Sequence, residues 1–265
     1  MARQIKSIED SRVLISNDDG IDAQGLKVLA KVMQRLAKEV WVVAPETEQS
    51  AVSHSLTIRQ PLRIRSVSHR CYAVNGTPTD SVLLGIIEVM KDNPPDFVIS
   101  GVNCGENLGE DVIYSGTVAA AMEGTLLGYP AVAFSQVISN QNSVNWSIVQ
   151  KWLPDIFKKI AQISLPSSVL LNVNFPDVPA AKVKGIEITR QGRRKIGCDL
   201  QSGIDPRGDK YFWVGPQRIE DTFRKGSDLE AVNRGIISIS PLRWTMLMLF
   251  SSSTLYVIFY KLCPI

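Results

Sequence analysis

The chain has 265 residues, of which 45% are hydrophobic and 21% are charged, and its formal net charge is +3. These values are typical of a globular protein with a sizeable core, and the charge is too small to indicate a nucleic-acid polymer or a membrane surface as a partner. The four cysteines, Cys71, Cys104, Cys198 and Cys263, form no C-x-x-C pair. Their spacing therefore predicts neither a zinc site nor a disulfide framework.

The two ends of the chain carry no targeting or spanning segment by sequence. Residues 1–10 are mixed and polar, which predicts no signal peptide and a cytoplasmic protein. The tail from Trp244 to Ile265 is apolar, but Ser251-Ser252-Ser253-Thr254 interrupts it. We therefore predict no membrane-spanning helix there.

The first elements predict a doubly wound α/β fold. Arg12–Ser16 is an apolar strand, Gly25–Lys38 has helical spacing of apolar residues, and Val40–Ala44 is a second strand closed by Pro45. A strand, a helix and a strand in this order imply a right-handed crossover in a parallel sheet.

Two adjacent carboxylates, Asp18 and Asp19, follow the first strand directly. Ligands of open α/β sheets bind at this carboxyl edge, and two neighbouring carboxylates repel each other unless a cation lies between them. Their oxygen atoms suit Mg²⁺ or Mn²⁺ rather than zinc. The alternative is an ordinary polar turn with Asp19-Gly20 at its corner.

The loop at residues 45–57 is polar and follows the second strand, where loops often carry function. Its Ser50, Ser53 and Ser55 are candidate ligands, or they stabilise the loop itself. For His54 we favour a hydrogen-bonding role in the loop over catalysis.

The middle of the chain continues the alternation of strands and helices. The predicted elements are strands at Leu62–Arg65, Cys71–Val74 and Asp96–Ser100, a helix at Ser81–Met90 with Thr79 as its N-cap, a helix at Val118–Leu127, strands at Ala131–Ser135 and Val169–Phe175, and a helix at Trp146–Ile163. This pattern predicts buried parallel strands covered by helices.

A second polar segment, residues 100–117, follows the strand that ends at Ser100. It is rich in glycine and ends in Ser115-Gly116-Thr117, where a helix begins. Backbone N–H groups and hydroxyls at a helix start form an anion site, although a closely packed helix start has the same composition. No Gly-Lys-Ser/Thr follows, so the segment is not a Walker P-loop.

From Ala180 to Gly226 the pattern changes. Ile186–Thr189 and Tyr211–Val214 are predicted strands, with a segment without helical period between them, which we interpret as a hairpin-like extension for subunit contact. Asp228–Asn233 and Ile236–Leu242 are predicted as a final helix and strand. Since no repeat or linker divides the chain, we predict a single domain over residues 1–265.

Together, the two polar segments indicate phosphate chemistry. A hard cation beside a phosphate cradle is the composition of a phosphoryl-transfer or phosphate-hydrolysing site. The sequence lacks Gly-x-Ser-x-Gly, and the turn after the first strand is not a GxGxxG dinucleotide fingerprint.

At this point the chain resembles the stationary-phase survival protein (SurE) family of metal-dependent 5′/3′-nucleotidases. The likeness runs from about Arg12 to Leu242, in the order and spacing of the family. The matching segments are Ser16-Asn17-Asp18-Asp19-Gly20, Val43-Ala44-Pro45, Ser53-His54-Ser55-Leu56-Thr57, Gly76-Thr77-Pro78-Thr79-Asp80, Ser100-Gly101-Val102-Asn103, Asn107-Leu108-Gly109, Tyr114-Ser115-Gly116-Thr117-Val118, Leu171-Asn172-Val173-Asn174, Thr189-Arg190, Asp205-Pro206-Arg207-Gly208 and Ser238-Ile239-Ser240-Pro241-Leu242.

The resemblance implies a Rossmann-like, three-layer α/β/α fold with a mostly parallel sheet and a β-hairpin extension. It implies one divalent cation per subunit, Mg²⁺ or Mn²⁺, bound by Asp18, Asp19, Ser50 and Asn103. It also implies that Ser115–Thr117 bind the substrate phosphate with Asn107 nearby. Implied substrates are nucleoside 5′-monophosphates, with 3′-monophosphates and short polyphosphate as further substrates, and the implied assembly is a homodimer or homotetramer through the hairpin and the C-terminal segment.

Two mechanisms follow from this assignment. In the one we favour, a metal-activated water attacks phosphorus; in the other, Asp18 is the nucleophile and forms an aspartyl phosphate. The alternative function is a non-catalytic nucleotide- or phosphate-binding protein that kept the pocket. A DNA-binding regulator is disfavoured by the small net charge.

The chain departs from the family pattern in two places. The loop Glu46–Gln49 lacks arginines that some members carry, which affects substrate preference. After Leu242 the pattern has an Asp-containing polar stretch and an amphipathic helix, whereas here Arg243 opens an apolar run. We hypothesise a frameshift near codon 243, which resequencing of the gene would refute by finding an unbroken frame.

Overall fold

A computed structural model describes residues 7–139, 144–194, 200–214 and 223–243. The strands are β1 (Arg12–Ser16), β2 (Glu39–Pro45), β3 (Ile64–Ser68), β4 (Cys71–Val74), β5 (Phe97–Cys104), β6 (Ala131–Gln136), β7 (Val169–Phe175), β8 (Ile186–Ile188), β9 (Leu200–Ile204), β10 (Lys210–Val214) and β11 (Ile237–Arg243). The helices are α1 (Gln24–Met33), α2 (Pro78–Leu84), α3 (Asp111–Tyr114), α4 (Gly116–Leu126), α5 (Ser147–Ala161) and α6 (Asp228–Asn233). A π-helical turn, Gly85–Val89, extends α2, and single 3-10 turns lie at Ile8–Asp10 and Ala180–Lys182.

The main sheet has nine strands in the order β3-β4-β2-β1-β5-β6-β7-β11-β8. The six strands from β4 to β7 in this order are parallel, whereas β3 and β11 run antiparallel to their neighbours β4 and β7. The predicted mostly parallel sheet is therefore confirmed. The chain moves to one side of β1 with β2 and to the other with β5, so the gap between β1 and β5 is the topological switch point, where ligands bind in such folds.

Helices cover both faces of the sheet, as predicted. Successive side chains of a strand point to opposite faces. Accordingly, Val13 and Ile15 pack into the hydrophobic cluster beneath α1 and α5, whereas Leu14 packs into the cluster beneath α2 and α4. The result is a three-layer α/β/α arrangement. No helix in the described ranges is long and apolar enough to cross a membrane.

The predicted N-cap of α2 is wrong by two residues. Thr77, not Thr79, caps the helix: its hydroxyl accepts a hydrogen bond from the N–H of Asp80 (3.1 Å), and the Asp80 carboxylate accepts one from the N–H of Thr77 (2.9 Å). This reciprocal pair is a capping box, and Pro78 at the first helical position supports it because its missing N–H would have no partner there. The helical segment consequently begins three residues before the predicted Ser81.

In the described part of the predicted hairpin extension, β10 pairs with a strand other than Ile186–Ile188. Ile186–Ile188 lies in the main sheet beside β11, whereas it was predicted to belong to the extension. The partner of β10 is β9, which is antiparallel to it and lies in the segment without helical period that was not predicted to contain a strand. The sequence of β9, Leu-Gln-Ser-Gly-Ile, lacks the alternating β-branched residues that predict a strand. We call the β9–β10 ribbon the arm.

Several predictions fall partly or wholly outside the described residues. The tail after Arg243, the frameshift hypothesis, Cys198 and Cys263 cannot be compared with the structure, and the extent of the extension up to Gly226 is described only in part. The single domain over residues 1–265 thus stays a prediction. Other helix and strand ends differ from prediction by a few residues, as at α1, which ends at Met33 rather than Lys38.

Candidate active site

The turn after β1 brings Asp18 and Asp19 against the loop that follows β2. The side chain of Asn17 donates to the carbonyl of Gly20 (2.9 Å), which closes the turn. Gly20 has φ +96°, and a Cβ added there would lie 3.1 Å from the carbonyl carbon of Thr47. Only glycine allows this close approach without strain. The sequence Asn-Asp-Asp-Gly therefore forms a turn at the switch point with both carboxylates presented beside a second loop.

Asp18 is buried, with 5% of its surface exposed, and it faces the start of α4. Its Oδ1 accepts a short hydrogen bond from the Thr117 hydroxyl. Burial raises the pKa of Asp18 to about 7, against the opposing effect of the Thr117 hydrogen bonds. A Cβ at Gly116 would lie 2.7 Å from that of Asp18, so glycine is what lets the helix start approach the carboxylate.

Asp19 lies between the loops that follow β2 and β5. Its Oδ2 accepts a hydrogen bond from the N–H of Cys104 at the end of β5 (3.1 Å). Partial burial and the nearby Glu48 carboxylate raise the pKa of Asp19. Without a nearby cation, ionisation of Asp19 is unfavourable, because desolvation and the negative charge of Glu48 both oppose it.

Asn103 reaches the site because β5 contains a bulge. Between Ser100 and Asn103 the strand advances three residues while β6 advances two, so one extra residue is inserted. A bulge bends its strand and redirects the side chains that follow. The side-chain nitrogen of Asn103 donates to the carbonyl of Gly105 (2.9 Å), which fixes the amide and leaves its oxygen as the candidate ligand atom.

Ser50 is the most exposed member of the predicted metal-binding set. Its loop is held to the site by the N–H of Gln49, which donates to the backbone oxygen of Asp18 (2.7 Å). The hydroxyl of Ser50 donates to Glu48 Oε1 (2.8 Å), and a hydroxyl that donates its proton keeps its oxygen lone pairs for a cation.

These residues fit a hard divalent cation. Two carboxylates, an amide oxygen and a hydroxyl are the oxygen ligands that Mg²⁺ and Mn²⁺ prefer, and a cation would relieve the unfavourable ionisation of the two aspartates. Further polar atoms at this edge, Ser16 Oγ, Asn17 Oδ1 and Ser100 Oγ, are buried without a hydrogen-bond partner in the described part of the chain. Within that part, no cluster of three or more His, Cys, Asp or Glu side chains suits a metal, so this mixed oxygen set is the candidate.

The start of α4, where the sequence predicts a phosphate cradle, lies beside Asp18. Ser115 is the N-cap, and its hydroxyl accepts from the N–H of Val118 (3.0 Å). The N–H and the hydroxyl of Thr117 both stabilise the ionised form of Asp18, which shows that the first turn of the helix is directed at that carboxylate. The positive end of the helix dipole therefore faces the Asp18 carboxylate, where it favours negative charge.

Asn107 lies in a buried amide network close to the end of β7. Its side-chain nitrogen donates to Ser135 Oγ (2.8 Å), and its backbone N–H donates to Asn174 Oδ1 (2.9 Å). The side chains of Asn172 and Asn174 both donate to its backbone carbonyl. The structure thus shows Asn107 anchoring the glycine-rich loop, and its predicted contact with phosphate stays a prediction.

The glycine-rich loop is also fastened to the root of the arm. The buried carboxylate of Asp228 accepts from the N–H of Gly109 (2.9 Å) and from that of Gly192 (2.7 Å). Arg194 binds Glu106 through Nη1 (3.0 Å) and Asp111 through Nη2. Burial raises the pKa of Asp111 to about 6 although Arg194 opposes this. The local sequence predicts only that Asp228 begins a helix, because a carboxylate that binds two backbone N–H groups distant in sequence leaves no local pattern.

His54 forms a hydrogen bond, as predicted, but its partner lies in α4 rather than in the loop. Its Nε2 lies 2.8 Å from Oε2 of Glu123, a buried residue of α4. The same loop is fastened by Ser53, whose N–H and hydroxyl donate to the carbonyls of Tyr114 (3.1 Å) and Ile113 (2.7 Å). These contacts position the segment that carries Ser50 over the start of α4.

Comparison with known proteins identifies the family of the chain. The family model described as survival protein SurE matches residues 13–197. The chain is 61% identical over 231 residues to the 5′-nucleotidase SurE of Paramagnetospirillum magneticum, covering 87% of this chain and 89% of that protein. It is 49% identical over 234 residues to that of Parvibaculum lavamentivorans, covering 87% and 84%.

A solved structure is similar as well. The crystal structure of the SurE protein from Aquifex aeolicus superposes with a TM-score of 0.82 at 37% identity, covering 95% of this chain and all of that one. Family model, relatives and fold agree over most of the length. The chain belongs to the SurE survival protein family.

Proposed function

We propose that this protein is a 5′-nucleotidase, a phosphomonoester hydrolase that releases phosphate from nucleoside 5′-monophosphates with the help of a divalent cation. The relatives with 61% and 49% identity are named 5′-nucleotidase SurE, which supports the activity. The observation that carries the proposal is the contact of Asp18 with Thr117, which joins a pair of carboxylates to the start of α4 at the switch point of the sheet.

Each residue of the site has a distinct task in this reaction. Asp18, Asp19, Ser50 and Asn103 would hold the cation. When bound, Mg²⁺ or Mn²⁺ supplies positive charge that polarises the phosphoryl oxygens and lowers the pKa of a water molecule. The Gly116–Thr117 backbone at the start of α4 binds the phosphate and stabilises the charge that spreads over its oxygens, while buried Asp18 keeps the helix start oriented.

We favour water over Asp18 as the nucleophile, because the Asp18 carboxylate is engaged by Thr117 in a buried position. The stereochemistry at phosphorus tests this choice, with a thiophosphate monoester that is made chiral by oxygen isotopes and hydrolysed in isotopically labelled water. Direct attack by water is a single in-line displacement and inverts the configuration at phosphorus. Retention would instead show two displacements and an aspartyl phosphate intermediate.

Thr117→Val should weaken catalysis without unfolding the protein. The substitution keeps the shape of the side chain but removes the hydroxyl that donates to Asp18 Oδ1. Since a hydrogen bond to a charged group contributes about 1.5–3 kcal/mol, we expect kcat for AMP to fall about 10- to 100-fold. The comparison is Thr125→Val, another buried threonine of α4, whose hydroxyl binds only the backbone of its own helix at Ala121; an equal loss there would point to a general effect on the helix.

Release of phosphate from AMP, with and without EDTA, tests the function itself. The proposal expects release with Mg²⁺ or Mn²⁺ and none after chelation. A purified protein that binds AMP but releases no phosphate with either metal would instead be a nucleotide-binding protein. A panel of 3′-monophosphates and short polyphosphate extends the test to the further substrates that we propose for this site.

We also propose a cytoplasmic homodimer or homotetramer assembled through the arm. The arm exposes large apolar side chains on a two-stranded ribbon, a surface that favours burial against another chain. These are Leu200, Ile204, Phe212, Trp213 and Val214.

Trp213→Lys should therefore shift the protein towards the monomer. The side chain is 69% exposed, so the change costs little in the isolated subunit but places a charge in the proposed interface. Light scattering after gel filtration measures the mass. Ile87→Lys, at an apolar residue that is 57% exposed and lies away from the arm, serves as the matched control. Equal masses for the two variants would contradict the role of the arm.

A further inference from the structure

A polar cavity lies directly beside the candidate site, above the carboxyl ends of β2 and β4. Its volume is about 270 Å³, and its lining includes Glu46, Gln49, Gln60, Asn75 and Thr77. This volume is close to the lower end of the range for small-molecule sites, roughly 300–1,000 Å³. None of the roles assigned so far uses the cavity.

Two walls of the cavity are shared with the candidate site. On one side, the N–H of Gln49 donates to the backbone oxygen of Asp18 (2.7 Å). On the other side, Thr77 precedes Pro78, whose ring would lie 3.1 Å from a Cβ at Gly116. A ligand with its phosphate at the start of α4 can therefore extend its remaining part into this cavity.

The chemistry of the lining suits an uncharged polar group better than a second phosphate. The lining contains amides, hydroxyls and the carboxylate of Glu46 but no lysine or arginine. A carboxylate repels phosphate, whereas it accepts hydrogen bonds from sugar hydroxyls, and amides donate to and accept from the edges of bases. The cavity thus favours a nucleoside over the continuing chain of a polyphosphate.

The position of Glu46 gives it a specific task. It follows β2 directly, and in Rossmann-type folds an acidic residue near the end of the second strand hydrogen-bonds the ribose hydroxyls. Arg65 Nε binds one oxygen of the carboxylate, Oε1, at 3.2 Å, which fixes the group at the edge of the cavity. The other oxygen, Oε2, is then the atom that a sugar hydroxyl would contact.

We propose that this cavity binds the nucleoside of the substrate, with Glu46 accepting hydrogen bonds from the sugar hydroxyls and Gln60 contacting the base. The inference rests on the proposed nucleotidase function and adds the place where the substrate is selected. It assigns the discrimination between ribose and deoxyribose substrates to Glu46.

Calorimetric titration with adenosine in the presence of EDTA tests the cavity without catalysis. We expect adenosine to bind the wild type, and Glu46→Gln to weaken this binding about tenfold because a hydrogen bond to a charged acceptor is lost. Gln60→Ala should weaken it as well. The matched control is Glu187→Gln, since Glu187 forms a similar surface ion pair with Arg234 (3.3 Å) on β8, near the opposite edge of the sheet.

A second ligand, 2′,3′-dideoxyadenosine, isolates the sugar contact. It lacks both hydroxyls, so Glu46→Gln should not weaken its binding further. Equal adenosine affinities for Glu46→Gln and Glu187→Gln, or an equal loss for both ligands, would overturn the assignment of Glu46. For AMP, the expected change in Glu46→Gln is an increase of about tenfold in KM with little change in kcat.

The outcomes separate this inference from the proposed function. If adenosine binding depends on Glu46 but AMP releases no phosphate, the nucleoside site is supported and the nucleotidase function is refuted. If phosphate release depends on metal but adenosine binding is insensitive to Glu46 and Gln60, the nucleotidase function is supported and the nucleoside site is refuted.

Discussion

Asp19→Asn is expected to abolish divalent-cation binding and to lower phosphate release from AMP by about 10³-fold or more. A neutral amide cannot replace a carboxylate as a charged ligand, and charge stabilisation by a metal contributes several kcal/mol to such a transition state. The substitution is nearly isosteric, and the amide oxygen can still accept from the N–H of Cys104. The loss should therefore appear in metal affinity and kcat rather than in folding.

Calorimetry with Mn²⁺ and phosphate release from AMP measure the two effects separately. The control is Asp22→Asn, in the same turn region, because the Asp22 carboxylate is 92% exposed and forms an ion pair with Lys27 (3.6 Å) on the surface. We expect this control to behave as the wild type. Full turnover by Asp19→Asn in Mg²⁺ would remove Asp19 from the metal site.

Asp18→Asn should stabilise the metal-free protein at neutral pH while it inactivates the enzyme. Burial raises the pKa of Asp18 from 3.8 to about 7, so the native state holds a proton that the unfolded chain has released between these pH values. Stability falls with rising pH wherever the native state binds more protons. The contribution of Asp18 is therefore fully present below pH 4 and is lost as the pH rises towards 7.

The difference in pKa sets an upper limit of about 4 kcal/mol on this effect. Urea denaturation of EDTA-treated protein at pH 5 and pH 7.5 measures it. The wild type should lose stability between the two values, and Asp18→Asn should lose less, since Asn keeps an acceptor for Thr117 but cannot ionise. Asp19, Asp111 and Asp228 also have raised pKa values, so part of the pH dependence remains in the variant.

At pH 7.5, added Mg²⁺ or Mn²⁺ should make the wild type more stable than Asp18→Asn. A ligand that binds only the native state stabilises that state. The wild type would gain stability and Asp18→Asn would not. If the stability of the wild type changes neither with pH nor with added cation, Asp18 is not a buried ionisable group at a metal site.

The sequence predicts those parts of the fold that depend on local pattern. Apolar runs such as Val13–Ile15 indicate parallel strands buried on both faces, and the polar residues that follow them mark the ligand-binding edge. The arm was partly missed because β9 owes its conformation to its partner β10 and not to its own residues. Thr79 directly precedes an acidic residue and a helical stripe and so fits an N-cap by sequence, but the capping box between Thr77 and Asp80 starts the helix earlier.

The candidate site shows the same division. Asp18, Asp19 and Ser115–Thr117 were recognisable because each lies at the end of a strand or the start of a helix. The contacts that join them, such as Thr117 to Asp18, connect residues 99 positions apart in the chain. The same holds for Asp228, which binds Gly109 over 119 positions. Because such pairs form only when the chain folds, they cannot be predicted from a local sequence pattern.

Asp228 and Arg194 hold the glycine-rich loop through contacts that do not involve the arm. Both residues lie at the root of the arm, so the loop is held in place without the ribbon beyond Arg194. Insertions, deletions or exchange of β9 and β10 should leave the loop where it is. The assembly that we propose for the arm can therefore change in evolution while the residues of the candidate site stay where they are.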